Sequence, residues 1–333
     1  MNVNAGHPDP AARAARGELR RARTRWGEAL IETSIRSSAL VVVAALLLIF
    51  VFIGKEAMPI LYSAQVRQEV TLLRMFAPQS GEVKQESAFM WQPVSEKPKY
   101  SIWPLLLGTL KATLVALAIA IPIALGAALF TSEFAPHFLR ELIKPVIELL
   151  AGIPSVVIGF FGLMVLATVF QDLFGFTYRL NAITAGTGLA LAVIPIIYTV
   201  AEDAFSAVPE TFRDGSFALG ANQWQTAWKV VLPAATPGVF AACVLGFGRA
   251  VGETMIVLMS SGNAATMSLD PSRSFRSFSA TIAAELGEVT QGSAHYHVLF
   301  FLGIFLFVIT FVTNLAGHWY LGRVNARLQG KAK

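Results

Sequence analysis

The sequence predicts an all-α membrane protein with six transmembrane helices. Three observations point there: the composition, six apolar runs of spanning length, and the placement of the basic residues. Of 333 residues, 55% are hydrophobic and 14% charged, with a mean hydropathy of +0.59. A water-soluble domain averages about 25% charged residues, so lipid is the solvent this chain expects. A bilayer core about 30 Å thick takes roughly 20 apolar residues of helix. Runs that meet this lie at approximately 36–54, 104–131, 145–171, 181–201, 231–260 and 296–320.

With the N-terminus inside, segments 1–36, 132–144, 202–229 and 321–333 hold 15 Lys/Arg, and segments 55–103, 172–180 and 262–295 hold 9. Six of those nine fall in the long 55–103 segment, where Glu56, Glu69, Glu82, Glu86 and Glu96 accompany them. Long loops translocate with less regard to charge, so both termini are read as cytoplasmic in a multi-pass membrane protein.

Taken in order, residues 1–35 form a basic cytoplasmic tail in which Arg13, Arg16, Arg20, Arg21, Arg23 and Arg25 face anionic headgroups. No aromatic stacking platform accompanies them, which argues against nucleic acid. Residues 36–103 supply the first span and an extracytoplasmic loop, of which 63–90 has no readable feature. The first run is read as a retained anchor, since it ends at Gly54-Lys55-Glu56 without a small-residue cleavage site. A core follows over 104–325, then a short cytoplasmic tail at 326–333.

Span three opens with Glu148-Leu149-Leu150-Ala151-Gly152-Ile153-Pro154-Ser155. A Gly-x-Pro-Ser interruption breaks or kinks a helix, and a restarted helix presents free N–H groups that suit an anion near the bilayer midplane. Ser155 is thereby a candidate to cap the helix or to donate to an oxyanion. The alternative is a plain kink satisfied by neighbouring backbone.

Between spans four and five, Pro209 suits a first helical turn, and Gly220 followed by Asn222 reads as a stop and restart. Two short helices joined at Gly220 result. Phe212, Ser216 and Leu219 mark one face of the first, and Trp224, Ala227, Trp228 and Val231 one face of the second, a spacing that suits a partner's groove. The alternative is an amphipathic connector lying on the membrane.

Span five contains Gly248-Arg249-Ala250-Val251-Gly252-Glu253-Thr254. A central Arg costs roughly 2.5–3.5 kcal/mol to insert. Arg249 and Glu253, four apart, pair on one helical face, either as a self-neutralising bridge or as a pathway element. In the pathway reading the guanidinium offers a planar fork to an oxyanion, and Glu253 holds it and keeps binding reversible. Gly248 and Gly252 form a G-x-x-x-G packing pattern. Thr281, in Thr281-Ile282-Ala283-Ala284-Glu285, is a pathway candidate or only a helix-start residue.

Other chemistries are poorly provided for. Cys243 is the only cysteine, so neither a disulfide framework nor a Cys-based metal site is available. The five histidines form no H-E-x-x-H, no G-x-S-x-G frames a serine, and no G-x-x-x-x-G-K-[ST] loop occurs. An intramembrane enzyme therefore lacks a constellation, and ATP hydrolysis falls to another polypeptide.

The loop after span four resembles that of ABC importer permeases: Asp214-Gly215-Ser216 replaces their Glu-Ala-Ala triplet, and Gly220 and Val230-Val231-Leu232-Pro233 follow at their spacing. The resemblance implies that Asp214, Gly215, Ser216, Gly220, Leu232 and Pro233 belong to a coupling segment, with coupling helices at about 209–229 docking on a separate ATPase. Ala151-Gly152-Ile153-Pro154-Ser155-Val156-Val157, Ala218-Leu219-Gly220-Ala221 and Gly248-Arg249-Ala250-Val251-Gly252-Glu253-Thr254 resemble the permeases of phosphate ABC importers. Ser279-Ala280-Thr281-Ile282-Ala283-Ala284-Glu285-Leu286-Gly287-Glu288 and Gly292-Ser293-Ala294-His295-Tyr296 narrow this to the PstC-type.

The similarity runs from about Trp91 to the C-terminus. It implies a type I ABC importer permease (MetI-like) fold and a place in the cytoplasmic (inner) membrane. It also implies a pathway through Arg249, Glu253, Ser155 and Thr281 for inorganic phosphate. The implied partners are a PstA-type permease, a dimeric PstB-type ATPase carrying ATP and Mg, and an extracytoplasmic phosphate-binding protein. No cofactor or metal is expected on this chain. Another oxyanion, such as molybdate or sulfate, is the alternative cargo, because one Arg fork recognises many tetrahedral anions.

Overall fold

The computed structural model describes residues 10–78 and 89–328. Glu82, Glu86 and the last five residues lie outside these, as do the side chains of Arg13 to Arg25. Helix α1 (Pro10–Ala57) runs unbroken from the basic segment into the first apolar run. Its side chains from Leu40 to Phe52 are exposed, as suits a helix whose solvent is hydrocarbon.

Residues 56–102, read from the sequence as a loop, carry local structure. Short helices α2 (Pro59–Tyr62), α3 (Ala64–Glu69) and α4 (Leu72–Phe76) precede a two-residue antiparallel ladder, β1 (Trp91–Gln92) with β2 (Lys99–Tyr100). Ile60, Val66, Met75, Trp91, Tyr100 and Ile102 are buried with Phe278, Val298 and Leu302 in one apolar cluster. Burial beside Glu69 and Glu285 pushes the Tyr100 phenol up to about 12.

The main core is built by α5 (Trp103–Glu133) and α8 (Ala182–Ser206). Ala112, Ala116, Ala120, Ala124 and Ala128 recur every four residues along α5 and are fully buried or nearly so. Small residues in that register let helix backbones approach closely. At Gly186 on α8 an added Cβ would stand 2.5 Å from Val115 Cγ1, so only glycine fits.

The run read as a third span is two elements. Helix α6 (His137–Ala151) buries no residue completely, and Phe138, Leu142, Val146 and Leu149 form an exposed apolar row on it. Its polar side chains moor it: Arg140 donates to the Thr131 and Ser132 carbonyls, and Lys144 Nζ lies 2.8 Å from Glu202 Oε2. The chain breaks at Gly152–Pro154 and restarts as the spanning helix α7 (Ser155–Phe174), which is π-helical over Gly162–Leu166.

Two short helices, α9 (Glu210–Ala218) and α10 (Gln223–Ala234), follow α8, and α10 meets α11 (Thr236–Gly252) at a bend of 70°. Pro233 and Pro237 flank that bend, and neither can donate a helical hydrogen bond. Helices α12 (Met255–Ser260), α13 (Phe278–Glu285) and α14 (Ala294–Leu328) complete the chain. Among the described residues, five helices are long and apolar enough to span, and six if the bent pair is counted as one span.

Candidate substrate pathway and coupling surface

The fifth run is discontinuous. Helix α11 ends at Gly252, Glu253 is extended at φ −70° and ψ 131°, and α12 restarts at Met255. Arg249 sits in the last turn of α11, where a cation complements the negative end of the helix dipole. Its Nη2 lies 3.5 Å from Glu253 Oε2, so the expected pair forms, as a loose one. The two side chains differ sharply in access: that of Arg249 is 50% exposed and that of Glu253 4%.

The break is held from outside the helix. Ser279 Oγ on α13 donates to the Glu253 carbonyl at 2.7 Å, satisfying an acceptor that a continuous helix would have paired internally. Gly252, Thr254, Ser279, Ile282, Ala283 and Leu286 line a cleft of about 490 Å³ beside it. Ser279 was not singled out in the sequence, where no local signal marks it. Thr281 is wholly buried, its hydroxyl donates to the Ser277 carbonyl, and Ser277, not Thr281, caps α13.

Ser155 opens α7 but does not cap it; Pro154 occupies that position with no side-chain cap. One turn on, an added Cβ at Gly159 would meet the Met255 carbonyl at 3.0 Å, and at Gly162 it would meet Ser260 Oγ at 2.6 Å. These contacts pack α7 against α12, and Ser155 stands about 6 Å along the axis before the first of them. The expected G-x-x-x-G packing is corrected within this chain. A Cβ on Gly248 would make only ordinary contact with Asn314, and Gly252 faces open space. Gly246 is the tight position, where an added Cβ would stand 2.6 Å from the Ile197 side chain.

Lys111 was also missed, although a lone cation in an apolar run is a visible signal. Its ammonium donates to the Ser268 and Asp270 carbonyls at 3.1 and 3.0 Å and lies over the Phe275 ring. This ties the segment after α12 to α5.

At the other candidate site, the two-helix reading of 209–229 holds in its punctuation. Pro209 precedes α9, Gly220 takes a left-handed φ of +82°, and Asn222 forms a capping box with Gln225. The predicted faces hold at Phe212, Leu219, Trp224 and Trp228, which are exposed, and are corrected at Ser216, Ala227 and Val231. Ser216 turns inward, its hydroxyl 2.9 Å from that of Thr226, and Ala227 and Val231 are buried. The exposed apolar groups are Phe212, Phe217, Leu219, Trp224 and Trp228. Asp214, Gly215 and Pro233 are exposed beside them and Leu232 is half-buried.

The surface is braced by Arg213, whose Nε and Nη2 lie 3.1 and 2.7 Å from the two Glu133 oxygens. Arg213 also donates to the Phe205 and Val208 carbonyls, and its hydrogen bonds to Glu133 raise its pKa above the usual value.

Residues 120–329 match the family described as the binding-protein-dependent transport system inner membrane component. The chain belongs to this family. Among this transport family's members, the probable ABC transporter permease protein YqgH of Bacillus subtilis (strain 168) is 33% identical over 279 residues, covering 84% of this chain and 85% of that one. The phosphate transport system permease protein PstC 1 of Mycobacterium bovis is 36% identical, covering 68% of this chain and 73% of its own length. PstC of Xylella fastidiosa (strain Temecula1) is 34% identical over 57% of this chain and 64% of its own.

The fold is shared with solved transporters at low identity. The inward-facing MetNI methionine ABC transporter matches with a TM-score of 0.53 at 18% identity, over 67% of this chain and 97% of that one. A bacterial ABC transporter for the acidic polysaccharide alginate matches at 0.55 and 14%, over 85% and 96%. As a family member the chain is a multi-pass permease subunit.

Proposed function

We propose that this chain is the transmembrane permease subunit of an ATP-driven importer that carries inorganic phosphate across the cytoplasmic (inner) membrane by alternating access. The observation that carries the reading is the loosely paired, half-exposed Arg249 beside a break in a spanning helix. A guanidinium so placed has donors left to receive an oxyanion as a bidentate ligand. The printed names of the PstC relatives support phosphate as that anion. Both termini are cytoplasmic in this reading, which puts α9 and α10 at the cytoplasmic face.

There the exposed row of Phe212, Phe217, Leu219, Trp224 and Trp228 meets a dimeric PstB-type ATPase that holds ATP and Mg. Asp214, Gly215, Ser216, Gly220, Leu232 and Pro233 belong to the coupling segment. A PstA-type permease supplies the other half of the pathway, and an extracytoplasmic phosphate-binding protein delivers the cargo. Ser155, at the start of α7, and Thr281, wholly buried on α13, are the further members of the pathway in this reading.

The test is uptake of labelled phosphate and labelled sulfate by cells lacking the chain, with and without its restoration. The proposal expects phosphate uptake alone to return. Restoration of sulfate but not phosphate uptake overturns it.

A further inference from the structure

The mostly buried carboxylates of this chain fall into two kinds. Glu133 takes two hydrogen bonds from Arg213. Glu202 receives Lys144 at 2.8 Å and the Ser206 hydroxyl at 3.0 Å. Glu285 collects Arg276, His295 and Trp91. Glu253 is buried to the same degree as Glu202, with 4% of its side chain exposed against 3%, and more deeply than Glu133 or Glu285. Among the described residues, though, its carboxylate has only the 3.5 Å contact with Arg249 and no hydrogen bond. A carboxylate has about four acceptor sites, and leaving them dry in a low-dielectric setting is costly. The Glu253 oxygens are not among the fully buried unpartnered atoms of the chain, so a bound molecule can reach them and supply a donor.

The neighbouring group says what kind of molecule brings that donor. The Arg249 side chain is half exposed and its guanidinium calls for an anion. One ligand that answers both groups is an oxyanion that still carries a hydroxyl: its ionised oxygens accept from Arg249 while its O–H donates to Glu253. Inorganic phosphate and arsenate keep at least one proton at neutral pH, whereas sulfate and molybdate keep none. A fully deprotonated anion would set an oxygen lone pair against the carboxylate and leave Glu253 unpaired. A site built to accept from a substrate hydroxyl rejects the analogue that lacks it.

We infer that Glu253 is a specificity-determining residue, accepting a hydrogen bond from the protonated oxygen of the anion held by Arg249, so that the pathway admits protonated oxyanions and excludes sulfate. This rests on the reading of the chain as a phosphate permease and adds a selection step inside the membrane.

The assembled transporter, in lipid nanodiscs and without any soluble binding protein, is titrated with labelled phosphate at neutral pH and then with competing arsenate or sulfate. In the wild type, arsenate displaces phosphate at concentrations within about threefold of phosphate itself. Sulfate needs at least about 100-fold more. Glu253→Gln, which offers an N–H to a deprotonated oxygen, narrows the sulfate gap to below about tenfold. Glu253→Asp keeps the acceptor and the wild-type order.

Sulfate competing as well as arsenate in the wild type overturns the inference without recourse to any variant. Phosphate binding with an unchanged sulfate gap in Glu253→Gln overturns the inference and leaves the phosphate reading standing. Absence of phosphate binding in the wild-type complex overturns both.

Discussion

At position 253 the backbone leaves the helix, and much of the site's character follows from that one change of ψ. Two charges four residues apart in an apolar run were legible as a pair, because the cost of inserting them demands compensation. The inequality between them was not, since i,i+4 pairing presumes an unbroken helix and the break buries one partner while leaving the other open. The brace is a residue-scale prediction. Ser279→Ala leaves the Glu253 carbonyl without its donor and destabilises the transporter by about 1–2 kcal/mol, measured as a lowered melting temperature with reduced transport. Ser279→Thr retains the hydroxyl and recovers both.

A second prediction concerns α5. An alanine at Gly108 would place Cβ 2.1 Å from the Arg276 carbonyl oxygen, a backbone atom that cannot swing aside. Gly108→Ala costs about 1–3 kcal/mol. Gly126→Ala on the same helix, with open space around it, is neutral or stabilising by up to about 1 kcal/mol. Thermal denaturation of the two variants side by side separates packing at Gly108 from helix propensity.

Among the elements, the 209–233 segment was the most readable, because its stops are written in residues with few backbone alternatives: Pro209, Gly220 and Asn222. The outward faces were read correctly at Phe212, Leu219, Trp224 and Trp228 but not at Ser216, Ala227 and Val231. Spacing of three and four marks a stripe, but the same stripe serves the chain's own core at Ala227 and Val231 as readily as a partner's groove.

The third run is mixed: the interruption at Gly152–Pro154 was legible and does break the helix, but a hydropathy window starting at 145 joins the last two turns of α6, Pro145 to Ala151, to the span. In the 56–102 segment the apolar residues are spaced irregularly over very short helices, so no period betrays them before tertiary packing does. Gly220→Pro cannot adopt φ +82°. In a complex that still assembles, this variant or deletion of 214–220 abolishes substrate-stimulated ATP hydrolysis, measured by phosphate release with and without cargo. Arg213→Ala strands Glu133, whose side chain is 6% exposed, and loosens the same surface at a cost of about 3 kcal/mol.

For the whole molecule, the pattern of burial argues for incompleteness by design. Alanine-lined contacts between α5 and α8 are fully closed, while Arg249, the apolar row on α6 and the aromatic surface of α9 and α10 stay open. The first is what one chain can finish alone; the others are where an anion, lipid or another subunit completes it. The spanning runs and the charged pair announced the class of molecule from sequence, since both are priced by the bilayer itself. The arrangement of the cleft was not legible, because Ser279 and Glu253 meet through a break that no local signal marks.

The central claim is that the Arg249 guanidinium receives the transported anion. Arg249→Gln keeps a polar, hydrogen-bonding side chain, two bonds shorter, while removing the charge and the fork. Initial rates of labelled phosphate uptake are compared in cells whose only copy of the chain is wild type or Arg249→Gln, with complex assembly confirmed by co-purification. The account predicts assembled complex and a loss of uptake of at least about 100-fold; an assembled variant that imports phosphate at the wild-type rate contradicts it.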